Sequence, residues 1–217
     1  MSKKLLLGML VLNTVLPVPA AVYAVGNVNG SGPSLGLAIP DGNPSGLTSS
    51  LTVSGAGSAL SEVAVTLNVS GGYNGDLYAY LVAPNGTLVT LLNRVGTGSG
   101  DPIQSAFGYA TAGFNNVTLS DAGTGGNIHH AATPVSGTAY TPDGGSLGAL
   151  NGSGPNGSWT LFFADESAGY TSTLNGWSLD ITAVPEPVNV ALAIFFGLGT
   201  LRWCLGKAAK ASPCHCC

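Results

Sequence analysis

Four aspartates stand where this chain could do chemistry. Asp76 sits in Asn74-Gly75-Asp76, Asp121 in Ser120-Asp121-Ala122-Gly123, and Asp165 in Ala164-Asp165-Glu166. Asp101 follows the glycine-rich run Gly96-Thr97-Gly98-Ser99-Gly100. Calcium gathers about six to eight oxygens from carboxylates, carbonyls and water, and irregular loops supply them well. Calcium is therefore the cofactor these residues suggest, with Asp76 the favoured ligand. The same side chains also suit capping of their own turns. His129-His130 reads as a solvated loop pair or as a surface site for zinc or copper. Cys214-His215-Cys216-Cys217 carries zinc-type donors, but too little chain surrounds it to build a site.

Covalent catalysis finds less support. A Ser-His-Asp mechanism needs a base held against a nucleophile. No Gly-x-Ser-x-Gly elbow precedes a helical pattern. Gly55-Ala56-Gly57 and the run from Gly96 to Gly100 lack the following helix that a phosphate-cradling loop requires. No catalytic residue is expected.

The elements that must position these groups follow a period of two. Val63, Val65, Leu67 and Val69 share one face, while Thr66, Asn68 and Ser70 share the other. Leu77, Ala79 and Leu81 alternate with Tyr78 and Tyr80. Ala83-Pro84-Asn85-Gly86 makes a turn, and Thr87 to Leu92 returns as the partner strand. Trp159, Leu161 and Phe163 alternate with Thr160 and Phe162, and Trp177, Leu179 and Ile181 with Ser178 and Asp180. Short strands between turns rich in Gly, Asn and Ser predict an all-β fold, a jelly-roll barrel or sandwich.

Charge narrows the partners. Between the two ends lie roughly 160 residues, enough for one domain with a core. This part holds nine carboxylates against Arg94 alone, a net charge near −8. Such a surface repels phosphate backbones, so nucleic acid is not an expected partner. All four cysteines lie at Cys204 or beyond, so the domain relies on its core rather than on disulfides.

The ends read as sorting segments. Lys3 and Lys4 precede the apolar run from Leu5 to Leu16, and Val22-Tyr23-Ala24 offers small residues to a signal peptidase. Cleavage is expected after Ala24, with Ala20 or Ala21 as alternatives. Near the other end stand Val184-Pro185-Glu186-Pro187, an apolar run from Val188 to Leu201, and then Arg202, Lys207 and Lys210. From Val184 to Leu205 the run is about long enough to cross a bilayer. Basic residues behind it favour a cytoplasmic end.

Two resemblances follow from these residues. The Pro185-Glu186-Pro187 triplet, the apolar run and Arg202 resemble the PEP-CTERM sorting signal of bacterial exosortase systems. Gly75-Asp76-Leu77, Leu81, Pro84, Gly86 and Thr87 resemble the core motif of P/Homo B domains. Gly157-Ser158-Trp159-Thr160-Leu161 with Asp165, and Leu174-Asn175-Gly176-Trp177-Ser178-Leu179, resemble two further elements of that family in the same order. The second resemblance implies a jelly roll of about eight strands, which in the family usually stands behind a subtilisin-like serine endopeptidase domain.

The expected layout is a signal peptide over 1–24, a polar mobile linker over 25–36 and a P/Homo B-like domain over 37–183. A sorting and transmembrane segment over 184–206 and a basic, Cys-rich cytoplasmic tail over 207–217 complete it. The expected job is that of an exported binding or structural module of the cell surface or extracellular matrix. It would be held first in the inner membrane and processed by an exosortase-type transpeptidase. The alternative is an accessory to a separate subtilisin-like protease.

Overall fold

Valine, leucine and tryptophan at alternate positions pair off into strands because only a two-residue period puts all of them on one side. The computed structural model describes residues 20–98 and 106–184. Among these, ten strands form: β1 (Ala21–Gly26), β2 (Leu37–Ala38), β3 (Asn43–Val53), β4 (Ala59–Gly71) and β5 (Leu77–Val82). There follow β6 (Leu88–Asn93), β7 (Phe114–Leu119), β8 (Ala139–Tyr140), β9 (Gly157–Asp165) and β10 (Ser172–Val184). Among the described residues, helical turns are limited to short 3-10 pieces at Asn74–Asp76, Ile128–His130 and Leu147–Leu150.

The strands form two sheets. One runs β1-β10-β4-β7-β8, with β2 also paired to β10; the other runs β3-β9-β5-β6. Pairing is antiparallel except between β7 and β8. The hairpin expected from Pro84 and Gly86 is β5–β6, with Leu81 opposite Val89. Among the described residues no ladder joins one sheet to the other, so the fold is all-β in two sheets without a closed barrel. The expected strand number was about eight; the two extra short pairings, β2 and β8, add only two residues each.

Both sheets share one core. Trp159, Trp177, Phe114 and Phe163 are fully buried, together with Val65, Leu67, Leu81 and Leu161. Each Leu or Phe so buried contributes about 1.5–3 kcal/mol. Both indoles keep a partner: Trp159 Nε1 donates to Pro155 O at 2.8 Å, and Trp177 Nε1 to Ser49 Oγ at 2.9 Å.

The stretch 25–36 differs from the mobile linker expected. Val28 is buried and exchanges backbone hydrogen bonds with Ser31 at 2.9 and 3.0 Å. Asn27 N and Leu35 N both donate to Asn175 O, at 2.9 and 2.8 Å. Its polar side chains suggest a linker, but backbone pairing and one buried valine hold it. At the other end, β10 pairs through Val184 with Ala59, one residue past the expected domain limit.

No helix among the described residues is long and apolar enough to cross a membrane. The expected signal peptide up to 19, Asp101, and the segment from Pro185 onward, with Glu186, Pro187 and Arg202, lie outside the described residues.

Candidate functional site

The Gly75-Asp76-Leu77 motif occupies one end of the sandwich, where the 3-10 turn Asn74–Asp76 feeds β5. Glycine is required at 75 because another backbone lies against it. A Cβ there would stand 2.6 Å from Gly108 Cα and would also collide with Phe107 O. The turn is tied to that segment by Gly75 N donating to Tyr109 O at 3.0 Å and Asn74 N to Thr111 O at 2.8 Å.

Strand pairing brings Asp76 and Asp165 together. Leu77 stands opposite Asp165, and Glu166 N donates to Asp76 O at 2.8 Å. Both carboxylates are buried. Arg94 braces the two turns, its Nε donating to Gly75 O at 3.3 Å and Nη2 to Ser167 Oγ at 3.0 Å. Asp41, at the entry to the domain, accepts Gly169 N with both oxygens, at 2.8 and 3.0 Å.

Burial dominates the electrostatics here. Burial pushes the Asp76 carboxyl up, against the pull of Ser167 and Arg94. Burial also pushes Asp165 up, and the charges of Asp76 and Asp41 add to the effect. Asp165 Oδ2 and Asn74 Oδ1 are buried with no hydrogen-bond partner among the described residues. An orphaned carboxylate oxygen costs free energy and calls for a cation, a proton or water.

Above Asp76 opens a cleft of about 570 Å³, lined by Tyr73, Phe107, Ser167 and Tyr170 among others. Tyr73 and Tyr170 meet with ring centroids 4.7 Å apart, and a side-chain hydrogen bond with Tyr170 pushes the Tyr73 phenol up. Phe107 is 73% and Tyr170 68% exposed. Tyr170 also takes a left-handed φ of 72°, a strained backbone for a residue with a Cβ. Aromatic faces above a carboxylate floor suit a cationic group, which gains from both.

The remaining candidates separate. Asp121 lies at the far sheet and caps the turn Leu147–Leu150. It accepts Leu147 N at 2.9 Å, Gly148 N at 2.6 Å and Ser146 Oγ at 2.6 Å. Burial opposes its charge, but these three hydrogen bonds outweigh it and hold its carboxyl below the usual value. The turn-capping role is the one realised there. Asp76 and Asp165 do not meet Asp121, and no group of three or more His, Cys, Asp or Glu among the described residues is placed to hold a metal.

His129 is not a solvated loop residue. Its Nδ1 lies 2.7 Å from Asp143 Oδ2 and its Nε2 2.8 Å from Thr97 O, so both nitrogens face acceptors. Burial pushes Asp143 up despite its contact with His129. Both ring nitrogens are engaged in these contacts, which tie the His129 turn to the loops carrying Thr97 and Asp143.

Arg94, Ser167, Tyr73, Tyr170 and Phe107 escaped sequence reasoning. Arg94 had one signal, being the sole basic side chain of the acidic domain. The rest lie in loops whose neighbours are set by long-range pairing. Tyr78 and Tyr80, expected on one strand face, are half-buried there; Tyr80 stacks on Phe162 at 4.5 Å.

Comparison with known proteins places this arrangement. The family model described as the proprotein convertase P-domain matches residues 60–181. No curated protein matches the chain. Among solved structures, the serine protease of Aeromonas sobria in complex with its chaperone is 18% identical with a TM-score of 0.41. That alignment covers 77% of this chain and 26% of the other. The same serine protease solved alone is 16% identical with a TM-score of 0.42, over 77% of this chain and 27% of that one. The chain thus spans about a quarter of the length of these structures. Because the matched span exceeds half its length and contains Gly75-Asp76-Leu77, Trp159 and Trp177, the chain belongs to the proprotein convertase P-domain family.

Proposed function

We propose that this chain is an exported, non-catalytic P-domain module that acts by binding, at the cell surface or in the extracellular matrix. The observation that carries the reading is the cleft over Asp76, walled by Tyr73, Tyr170 and Phe107. Asp76, Asp165 and Asp41 put three carboxylates at this end against the one guanidinium of Arg94. Net negative charge and aromatic faces together favour an Arg or Lys side chain of a partner polypeptide. The match to the proprotein convertase P-domain supports a non-catalytic role.

Titration of an Arg-containing peptide into the exported protein by calorimetry tests the site. Binding should weaken at least tenfold in Asp76→Asn and in Tyr170→Ala. Unchanged affinity in both variants would remove the cleft from the function.

Calcium is the proposed occupant behind the cleft, at Asp165 with Asp76. The buried, unpartnered Asp165 Oδ2 is a hard oxygen donor of the kind calcium takes, and Asp76 lies close enough to push the Asp165 carboxyl up. Melting curves with calcium and with chelator should differ in the unmodified protein and coincide in Asp165→Asn.

A second reading is favoured by the family itself. The match to a proprotein convertase P-domain supports a role as accessory to a separate subtilisin-like serine endopeptidase. Co-purification with such a protease would favour it over a matrix role. For delivery, the N-terminal run and the Pro185-Glu186-Pro187 segment support export, temporary membrane retention and processing by an exosortase-type transpeptidase. Fractionation and intact mass in cells with and without that transpeptidase test this. A full-length, membrane-retained form in both would remove the sorting role.

A further inference from the structure

We propose that the mature chain begins at Ala21, through hydrolysis of the Ala20–Ala21 bond. This rests on the signal-peptide reading above. Of the three bonds named above, the one after Ala21 has Pro19 three before the cut, and the other two have valine there and alanine one before it. Val18 and Ala20 frame the first, Val22 and Ala24 the second. Sequence alone favours the second. The fold distinguishes them.

The second bond lies inside β1. All six residues of β1 pair with β10, from Ala21 opposite Ile181 to Gly26 opposite Gly176. Tyr23 and Val25 pack against the core, and the Tyr23 hydroxyl donates to Ser54 O at 3.1 Å. Cutting after Ala24 removes four of the six paired residues. It strips the ladder from β10 between Ser178 and Ile181, the segment whose Leu179 and Ile181 side chains fill the core. A newly bared edge of this kind is a template for pairing with other chains. The first bond lies just outside the ladder: Ala20 is exposed and unpaired, and Ala21 is the first residue of β1.

The reaction is a plain hydrolysis by a membrane-bound signal peptidase. Water adds across the C–N bond, leaving a carboxylate on Ala20 and an amine on Ala21. The product keeps every β1 residue and loses only the segment ahead of it.

The test is N-terminal sequencing and intact mass of the exported protein after expression of the full chain. A mature form starting at Ala21 is expected. A form starting at Val25 overturns this inference and leaves the signal peptide standing; one starting at Met1 overturns both. In a paired test, Ala20→Leu should block processing and accumulate precursor. Ala24→Leu, on the exposed side of β1, should leave cleavage unchanged. The reverse result overturns the assignment.

Discussion

The indole Nε1 of Trp177 on β10 donates to Ser49 Oγ on β3 at 2.9 Å, a hydrogen bond that crosses from one sheet to the other. Both residues are buried, Trp177 fully and Ser49 to 8% exposure. Removing the hydroxyl leaves an indole N–H with no acceptor in the core. Ser49→Ala should cost about 1–3 kcal/mol. In a domain of this size each ~1 kcal/mol lowers the melting temperature by about 2–4 °C, measurable by calorimetry.

Asp165 and Asp121 should respond to pH with opposite signs. The Asp165 carboxyl is raised in the folded state, so the folded protein holds its proton more tightly than the unfolded chain. Its favourable contribution is complete below the unfolded value, near 3.9, and is lost as pH rises through the folded value. Asp165→Asn should therefore raise stability at neutral pH, measured with chelator present, and flatten the profile on the acid side. Asp121 is lowered, so its contribution is present above the unfolded value and is lost as pH falls through the folded one. Asp121→Ala should cost about 1 kcal/mol at pH 7 and little at pH 2. Denaturant melts across pH 2–7 measure both.

His129 and Asp143 form a half-buried pair at 2.7 Å, with exposures of 18% and 9%. Asp143 also accepts Asn93 N at 3.0 Å, so the pair fastens the loop carrying Asp143 to the end of β6. Asp143→Asn and His129→Gln should each destabilise by about 1–3 kcal/mol, and a double-mutant cycle should show strong coupling. Additive effects would mean that the two side chains act separately.

Gly75→Ala should disturb the cleft as well as the fold. Its Cβ has no room against the backbone of Phe107 and Gly108. Overpacking of this kind costs about 1–3 kcal/mol. Thermal melting reads the loss, and the calorimetric titration with the Arg-containing peptide should show weakened binding.

The runs Val63–Val69, Leu77–Leu81, Trp159–Phe163 and Trp177–Ile181 were legible without a structure. Period-two burial is a local property: the first three runs alternate through their own length, and the fourth departs only at Ser178, which is buried as well. The turn at Ala83–Gly86 was legible for the same reason, since proline and glycine set their dihedrals where they stand. The motif residues Asp76 and Asp165 were also visible, but not their meeting. That depends on β5 lying beside β9, strands separated by most of the domain. Arg94 joins Ser167 across 73 positions, and Asp41 joins Gly169 across 128. No sequence period encodes such contacts, because sheet partners are chosen by global packing.

The sequence by itself determined the strand periodicity, the acidic charge, the turn chemistry and the family motifs, all of which are local or compositional. Only the tertiary structure decided which aspartates share an end, that Asp121 is a cap, and that His129 is held between two acceptors. It also decided that Ala21–Gly26 is a strand of the domain. The physical reason is the same in each case. A carboxylate, an imidazole or a short apolar run can serve several ends, and the backbone that long-range pairing brings beside it selects one.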